Sequence, residues 1–178
     1  MRTYIYTLPF FGFFTTILTH MTFTNIKCGT RDSKFVDFEK CYIKAVNRSH
    51  KYIDIHANLY QLPVDNVTVK VEFMRKDHGY KPFFVNITVD ACRFLKNQKN
   101  PIIKMVYNVY KNNTNANHTC PFDHDFIIDH LWTGNIESDF TRLIPMMQGD
   151  YGFFTEWSVY NIYRAFINVY VRVSDRQF

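Results

Sequence analysis

The clearest signal in the chain is an alternation of apolar and polar positions with a period of two. Val67, Val69, Val71 and Phe73 alternate with Thr68, Lys70, Glu72 and Met74, which predicts a strand with one buried face. A polar connection over residues 75–81 carries Gly79, and Pro82 opens the next run. There Phe83, Val85, Ile87 and Val89 alternate with Phe84, Asn86, Thr88 and Asp90. The two strands are expected to pair as an antiparallel hairpin. Residues 23–28, 35–46 and 52–62 show weaker β-like patterns, the last with Ile53, Ile55, Ala57 and Leu59 on one face. Residues 157–173 read as one closing strand, with Ala165, Ile167, Val169, Val171 and Val173 aligned.

The period changes after Asp90. Asp90 is placed to cap a short helix through Lys96, and Pro101 to open a second. In that second piece Ile102, Ile103, Val106, Tyr107 and Tyr110 recur at three- and four-residue spacing. Residues 122–136 match neither period. Residues 142–154 contain Pro145, Gly149 and Gly152 and therefore read as a loop, yet Leu143, Ile144, Met146, Met147, Tyr151 and Phe153 make it strongly apolar. Such a loop either packs on the core or forms an adaptable rim at the mouth of a pocket. Six to eight strands with one or two short helices point to a mainly β fold, a β-sandwich or β-cup.

Composition narrows the class. The chain has 178 residues, of which 18% are aromatic, and a formal charge of +5. That is enough for one domain with a real core, and too aromatic for disorder. Residues 1–22 read as a signal peptide: Arg2 is followed by a nearly continuous apolar run broken by Pro9 and Gly12, too short to span a bilayer. An uncleaved anchor is the rival reading, since no small-x-small pattern marks a cleavage site. Residues 23–178 are then a single domain. The basic residues are scattered rather than clustered, so nucleic acid is not an expected partner.

Cysteines and sequons agree with secretion. Cys28, Cys41, Cys92 and Cys120 allow three pairings; the two short loops, Cys28–Cys41 and Cys92–Cys120, are favoured, and a link from Cys28 to a late cysteine remains the alternative. N-x-Ser/Thr acceptors occur at Asn47, Asn66, Asn86, Asn112 and Asn117. Glycosylation at Asn86 would place it outward and turn Phe83, Val85, Ile87 and Val89 inward. Catalytic signatures are missing: there is no G-x-S-x-G, H-E-x-x-H or glycine-rich phosphate loop, so no catalytic residue, cofactor or metal is expected. The richest polar cluster, His118, Asp123, His124, Asp125, Asp129 and His130, matches no known ligand spacing.

A family resemblance adds to this reading. It rests on residues 23–28 and 35–41, the run from Ile43 to Arg48, Gly79-Tyr80-Lys81-Pro82-Phe83 and residues 90–95. It continues through residues 117–121, Ile144-Pro145, Gly149-Asp150-Tyr151 and the closing aromatic strand. In these features the chain resembles an insect-restricted secreted family that includes the CheB-type chemosensory proteins, distantly similar to the ganglioside-activator and lipid-recognition proteins. The resemblance implies an immunoglobulin-like β-cup, a structural role for the four cysteines, and a lipid or pheromone held between two sheets. The expected pocket is apolar, formed by Val69, Val71, Phe73, Val85 and Ile87 with Leu143, Ile144, Met146, Met147, Tyr151 and Phe153. Its partner would be a hydrophobic small molecule, with a membrane receptor or channel as a further partner. The alternative is a closed-core extracellular interaction module that modulates a receptor or channel through its surface, with no void larger than a few waters.

Overall fold

A computed structural model of the chain describes residues 19–47, 50–134 and 146–175. Eight strands and two helices occur in the order β1 (Thr19–Thr30), β2 (Val36–Ala45), β3 (Lys51–Leu59), β4 (Val67–Lys76), β5 (Tyr80–Asp90), α1 (Ala91–Asn97), α2 (Pro101–Tyr110), β6 (Phe126–Trp132), β7 (Gly149–Val159) and β8 (Ile162–Asp175). The fold is mainly β. One antiparallel sheet runs β1-β8-β7-β4-β5 and a second runs β2-β3-β6. They face each other as an immunoglobulin-like β-sandwich whose core takes side chains from both.

The β4–β5 hairpin forms as the alternation predicts. Val69 faces Val89 and Val71 faces Ile87. Beyond them Phe83, Phe84 and Val85 together oppose Phe73, because Glu72 pairs with Asn86 and Met74 with Pro82. Two residues are thus inserted in β5, and an even insertion leaves the alternation intact across the bulge. Phe84 absorbs the distortion, with φ at 48° and an exposed ring. Asn86 faces outward while Val85 is buried, and all five sequon asparagines are exposed.

Both edges of the sandwich are stapled. Cys28 in β1 bonds Cys41 in β2, joining the two sheets at one edge. At the other, α1 and α2 carry the chain from β5 to β6. Cys92 in α1 bonds Cys120, just ahead of β6. The Asp90 carboxylate accepts from Arg93 N, and the Asn100 carbonyl accepts from Ile102 N and Ile103 N, so each helix is capped where the sequence places its start.

Four segments differ from the sequence expectation or go beyond it. Residues 149–154, expected in a loop, belong to β7, which lies inside the larger sheet between β4 and β8. Gly152 is there to clear a ring: a Cβ at that position would lie 2.6 Å from Phe154. The closing strand is two strands joined at Tyr160 and Asn161, with φ of 52° and 62°. This is the left-handed pair that a tight hairpin needs, made without glycine. The unassigned stretch 122–136 holds β6, the edge strand of the smaller sheet. β1 begins at Thr19, so Met21, inside the expected leader, pairs with Val173 and is fully buried.

Candidate ligand cavity

The core is solid at one end and hollow at the other. At the solid end Phe73 stacks on Tyr151 at 5.4 Å, and packs on Phe153 at 4.7 Å and Phe83 at 5.9 Å. Met21, Val85, Met146, Val171 and Val173 complete that cluster. Toward the helical edge the sheets border a partly open cavity of about 250 Å³. Its walls come from every layer: Val69 and Val71 of β4, Ile53 and Ile55 of β3, Phe126 and Ile128 of β6, and Trp157 and Ile167 of β7 and β8. The helices close it. Phe94 and Leu95 of α1, with Ile103, Val106, Tyr107 and Tyr110 of α2, line the same space.

This arrangement follows from local sequence. The β4 alternation sends Val69 and Val71 inward beside each other. The β3 alternation does the same for Ile53 and Ile55. Three- and four-residue spacing in α2 places Ile103 and Tyr107 on its buried face, with Pro101 fixing its first turn. The Cys92–Cys120 bond holds the helical connection over the gap between the sheets.

The polar groups in the wall are few. Asp125 is held by Leu59 N at 2.8 Å, and His124 Nδ1 lies 2.8 Å from Asp125 O. The Thr155 hydroxyl donates to Ile167 O at 2.8 Å and accepts from Trp157 Nε1 at 2.8 Å. Burial pushes the Tyr107 phenol above its ordinary value, and burial followed by the neighbouring Tyr107 pushes Tyr110 up strongly. Both hydroxyls stay neutral at any physiological pH, so the cavity's tyrosines bring no charge.

Of the residues expected to form the pocket, Val69, Val71 and Phe153 line the cavity. Phe73, Val85, Met146 and Tyr151 lie in the solid end, Ile87 packs at the border of the two clusters, and Met147 is exposed. Leu143 and Ile144 lie outside the described residues. The β3 and α2 walls, led by Ile55 and Tyr107, lie outside the expected pocket, although the alternation and the helical spacing that bury them are both present in the sequence.

The polar cluster divides. His118 and His124 approach Nε2 to Nε2 at 2.8 Å. Asp129 and His130 lie instead on the outer face of the smaller sheet. His130 Nδ1 is 2.7 Å from Asp129 Oδ1, and His130 N donates to the buried Asp54 at 2.7 Å. Asp54, Asp129 and His130 offer ligand atoms within 4.8 Å of one another, but these atoms already serve this internal network.

Residues 69–153 match a family described as "Protein of unknown function (DUF1091)". The matched segment starts at Val69 and ends at Phe153, and it contains both helices, the Cys92–Cys120 bond and β6. It is thus the part of the chain that builds the helical edge of the cavity. No curated protein matches the chain.

Among the described residues no helix is long and apolar enough to cross a membrane. Two disulfides fit an oxidising compartment.

Proposed function

We propose that this chain is a secreted glycoprotein that binds or presents a hydrophobic small molecule, a lipid or a pheromone-like compound, between its two sheets. The observation that carries the reading is the hollow end of the core. On the scale of about 24 cal/mol per Å³ measured for engineered voids, a sealed apolar cavity of 250 Å³ costs about 6 kcal/mol, an upper bound for this partly open one. That is comparable to the whole stability of a domain. Water does not relieve it well, because a buried water needs two to four polar partners and the wall is almost all hydrocarbon. A void of about 150 Å³ already takes benzene, whereas drug-sized ligands occupy about 300 Å³ or more. At about 30 Å³ per water-sized group, this cavity suits a chain of about eight carbons, or the tail of a longer one. Eight methylenes contribute about 6 kcal/mol before ordering costs, which puts affinity in the micromolar range or weaker.

The resemblance to CheB-type proteins extends the proposal to insect chemosensation, with a receptor or channel as the eventual recipient of the ligand. Glycosylation at the exposed asparagines is part of the same proposal. A second reading, a surface module acting on a receptor or channel, draws on the outer face of the smaller sheet. There His50 stacks on Trp132 at 4.9 Å and Tyr52 on His130 at 4.3 Å, while Tyr42 and Trp132 remain exposed.

Native mass spectrometry of protein secreted by insect cells, followed by solvent extraction, separates the two readings. The proposal expects a bound or exchangeable apolar compound in a 1:1 complex and uptake of a fluorescent apolar probe. Protein that carries nothing and takes up no probe contradicts it and favours the surface module.

A further inference from the structure

Arg164 is a basic residue in a mostly apolar wall. It lies in β8, lines the cavity, and is only 12% exposed. Its guanidinium is fixed from two sides. One Nη donates to the Asp32 carboxylate, and the guanidinium carbon sits 4.4 Å from the centroid of the Phe35 ring. Its backbone is held as well, since Arg31 N donates to Arg164 O at 2.7 Å. The Nε, by contrast, is buried and has no hydrogen-bond partner among the described residues. An unsatisfied donor on a charged, buried group is unfavourable, and native interiors rarely keep one. Here the orphan belongs to a residue whose other atoms line a cavity large enough for a guest, and the Nε, which has no accessible surface of its own, meets a guest's oxygen when the Arg164 side chain shifts toward that space.

Resting on the ligand-binding reading above, we infer that the guest is an amphiphile with one oxygen acceptor, and that Arg164 Nε–H receives it. The same geometry selects the kind of acceptor. Asp32 already balances the guanidinium charge, so a carboxylate head would add a second anion in a low-dielectric site without a second cation. A neutral oxygen, as in a ketone, aldehyde, ester or alcohol, satisfies the donor without that penalty. The ligand class is therefore an apolar chain with a neutral oxygen function. A bare hydrocarbon leaves the donor unpaired, and a free fatty acid places its charge poorly.

The test is displacement of a naphthylamine fluorophore by n-octane, 2-octanone and octanoate at neutral pH. The wild-type chain is compared with Arg164→Met, which removes the donor, and Arg164→Lys, which keeps a cation for Asp32 but has no Nε–H. Following each compound across the variants cancels its own hydration. The ketone is expected to bind about tenfold more weakly to both variants, with octane unchanged, and wild type to prefer ketone over octanoate. The inference is overturned if octane and ketone weaken together, if neither changes, or if octanoate binds best. It is also overturned if the ketone's advantage survives in Arg164→Met and disappears in Tyr107→Phe, which would place the head on α2. If no member of the series displaces the probe from wild type, the ligand-binding reading fails as well, a result distinct from binding without head-group preference. Should Arg164→Met not fold, Arg164→Lys carries the comparison alone.

Discussion

Replacing Cys92 and Cys120 by serine is expected to lower stability by about 3–4 kcal/mol and to abolish guest uptake. The bond closes a segment with a sequence separation of 28, and in the chain-entropy model a loop of that size is worth about 3.6 kcal/mol. That is a large share of the 5–15 kcal/mol typical of a domain. The functional effect exceeds the stability effect because of where the bond lies. It anchors the two helices whose Phe94, Ile103 and Tyr107 close the cavity, so its loss frees one wall of the site. The Cys28–Cys41 bond has a separation of 13 and joins the sheets at the opposite edge. Its removal is expected to cost about 3 kcal/mol while leaving uptake by the folded protein largely intact. Denaturant titration of both serine pairs, with probe uptake measured on the folded fraction, checks the contrast.

Filling the cavity gives the second large effect. Val71→Trp projects a large ring from the middle of β4 into the hollow end. Affinity for an eight-carbon guest is expected to fall by about a hundredfold or more, while stability is held or raised because a void is filled rather than a packed core overfilled. Phe73→Ala should behave in the opposite way. Phe73 is 1% exposed and ringed by Tyr151, Phe153 and Phe83, so its truncation is expected to cost about 3–5 kcal/mol. Guest affinity of the protein that remains folded should be nearly unchanged. Calorimetric unfolding with probe titration measures both. A Val71→Trp chain destabilised by several kcal/mol would mean that this region is already full.

Some of the fold is legible in the sequence for identifiable reasons. β4 and β5 stand out because each has one wet face, so Lys70, Glu72, Asn86 and Thr88 interrupt the apolar positions on schedule. The helix starts are legible because the Asp90 cap and the fixed φ of Pro101 depend only on the next few residues; the Asn100 cap that the structure adds is not singled out by the sequence. β7 is hidden for the opposite reason. It is an interior strand whose outer face is also covered by rings, with Phe154 5.5 Å from Tyr80 and 5.3 Å from Tyr170. Alternation therefore dissolves over residues 151–154 into a short apolar run, and Gly149 and Gly152 lend it the look of a loop. The hairpin at Tyr160 and Asn161 escapes notice because it uses neither glycine nor proline. It is held instead by Tyr160 Oη, which donates to Asp65 at 2.9 Å.

The cavity is the least legible feature. Alternation assigns a face to each residue but not a depth along the sandwich. Val71 and Phe73 share a face of β4, yet one borders empty space and the other fills it. The difference depends on what β3, β6 and α2 place opposite, and those segments are remote in sequence. The partnerless Nε of Arg164 is likewise invisible in a chain where Arg164 sits between Tyr163 and Ala165.

The most direct measurement is a set of intermolecular NOEs between an eight-carbon ketone and methyl-labelled protein. Cross-peaks are expected from the guest chain to the methyls of Val69, Val71, Ile55 and Ile103, with none to Val85 or Val173. Cross-peaks confined to the Val85 and Val173 end, or no cross-peaks at saturating guest, would contradict the ligand-binding reading.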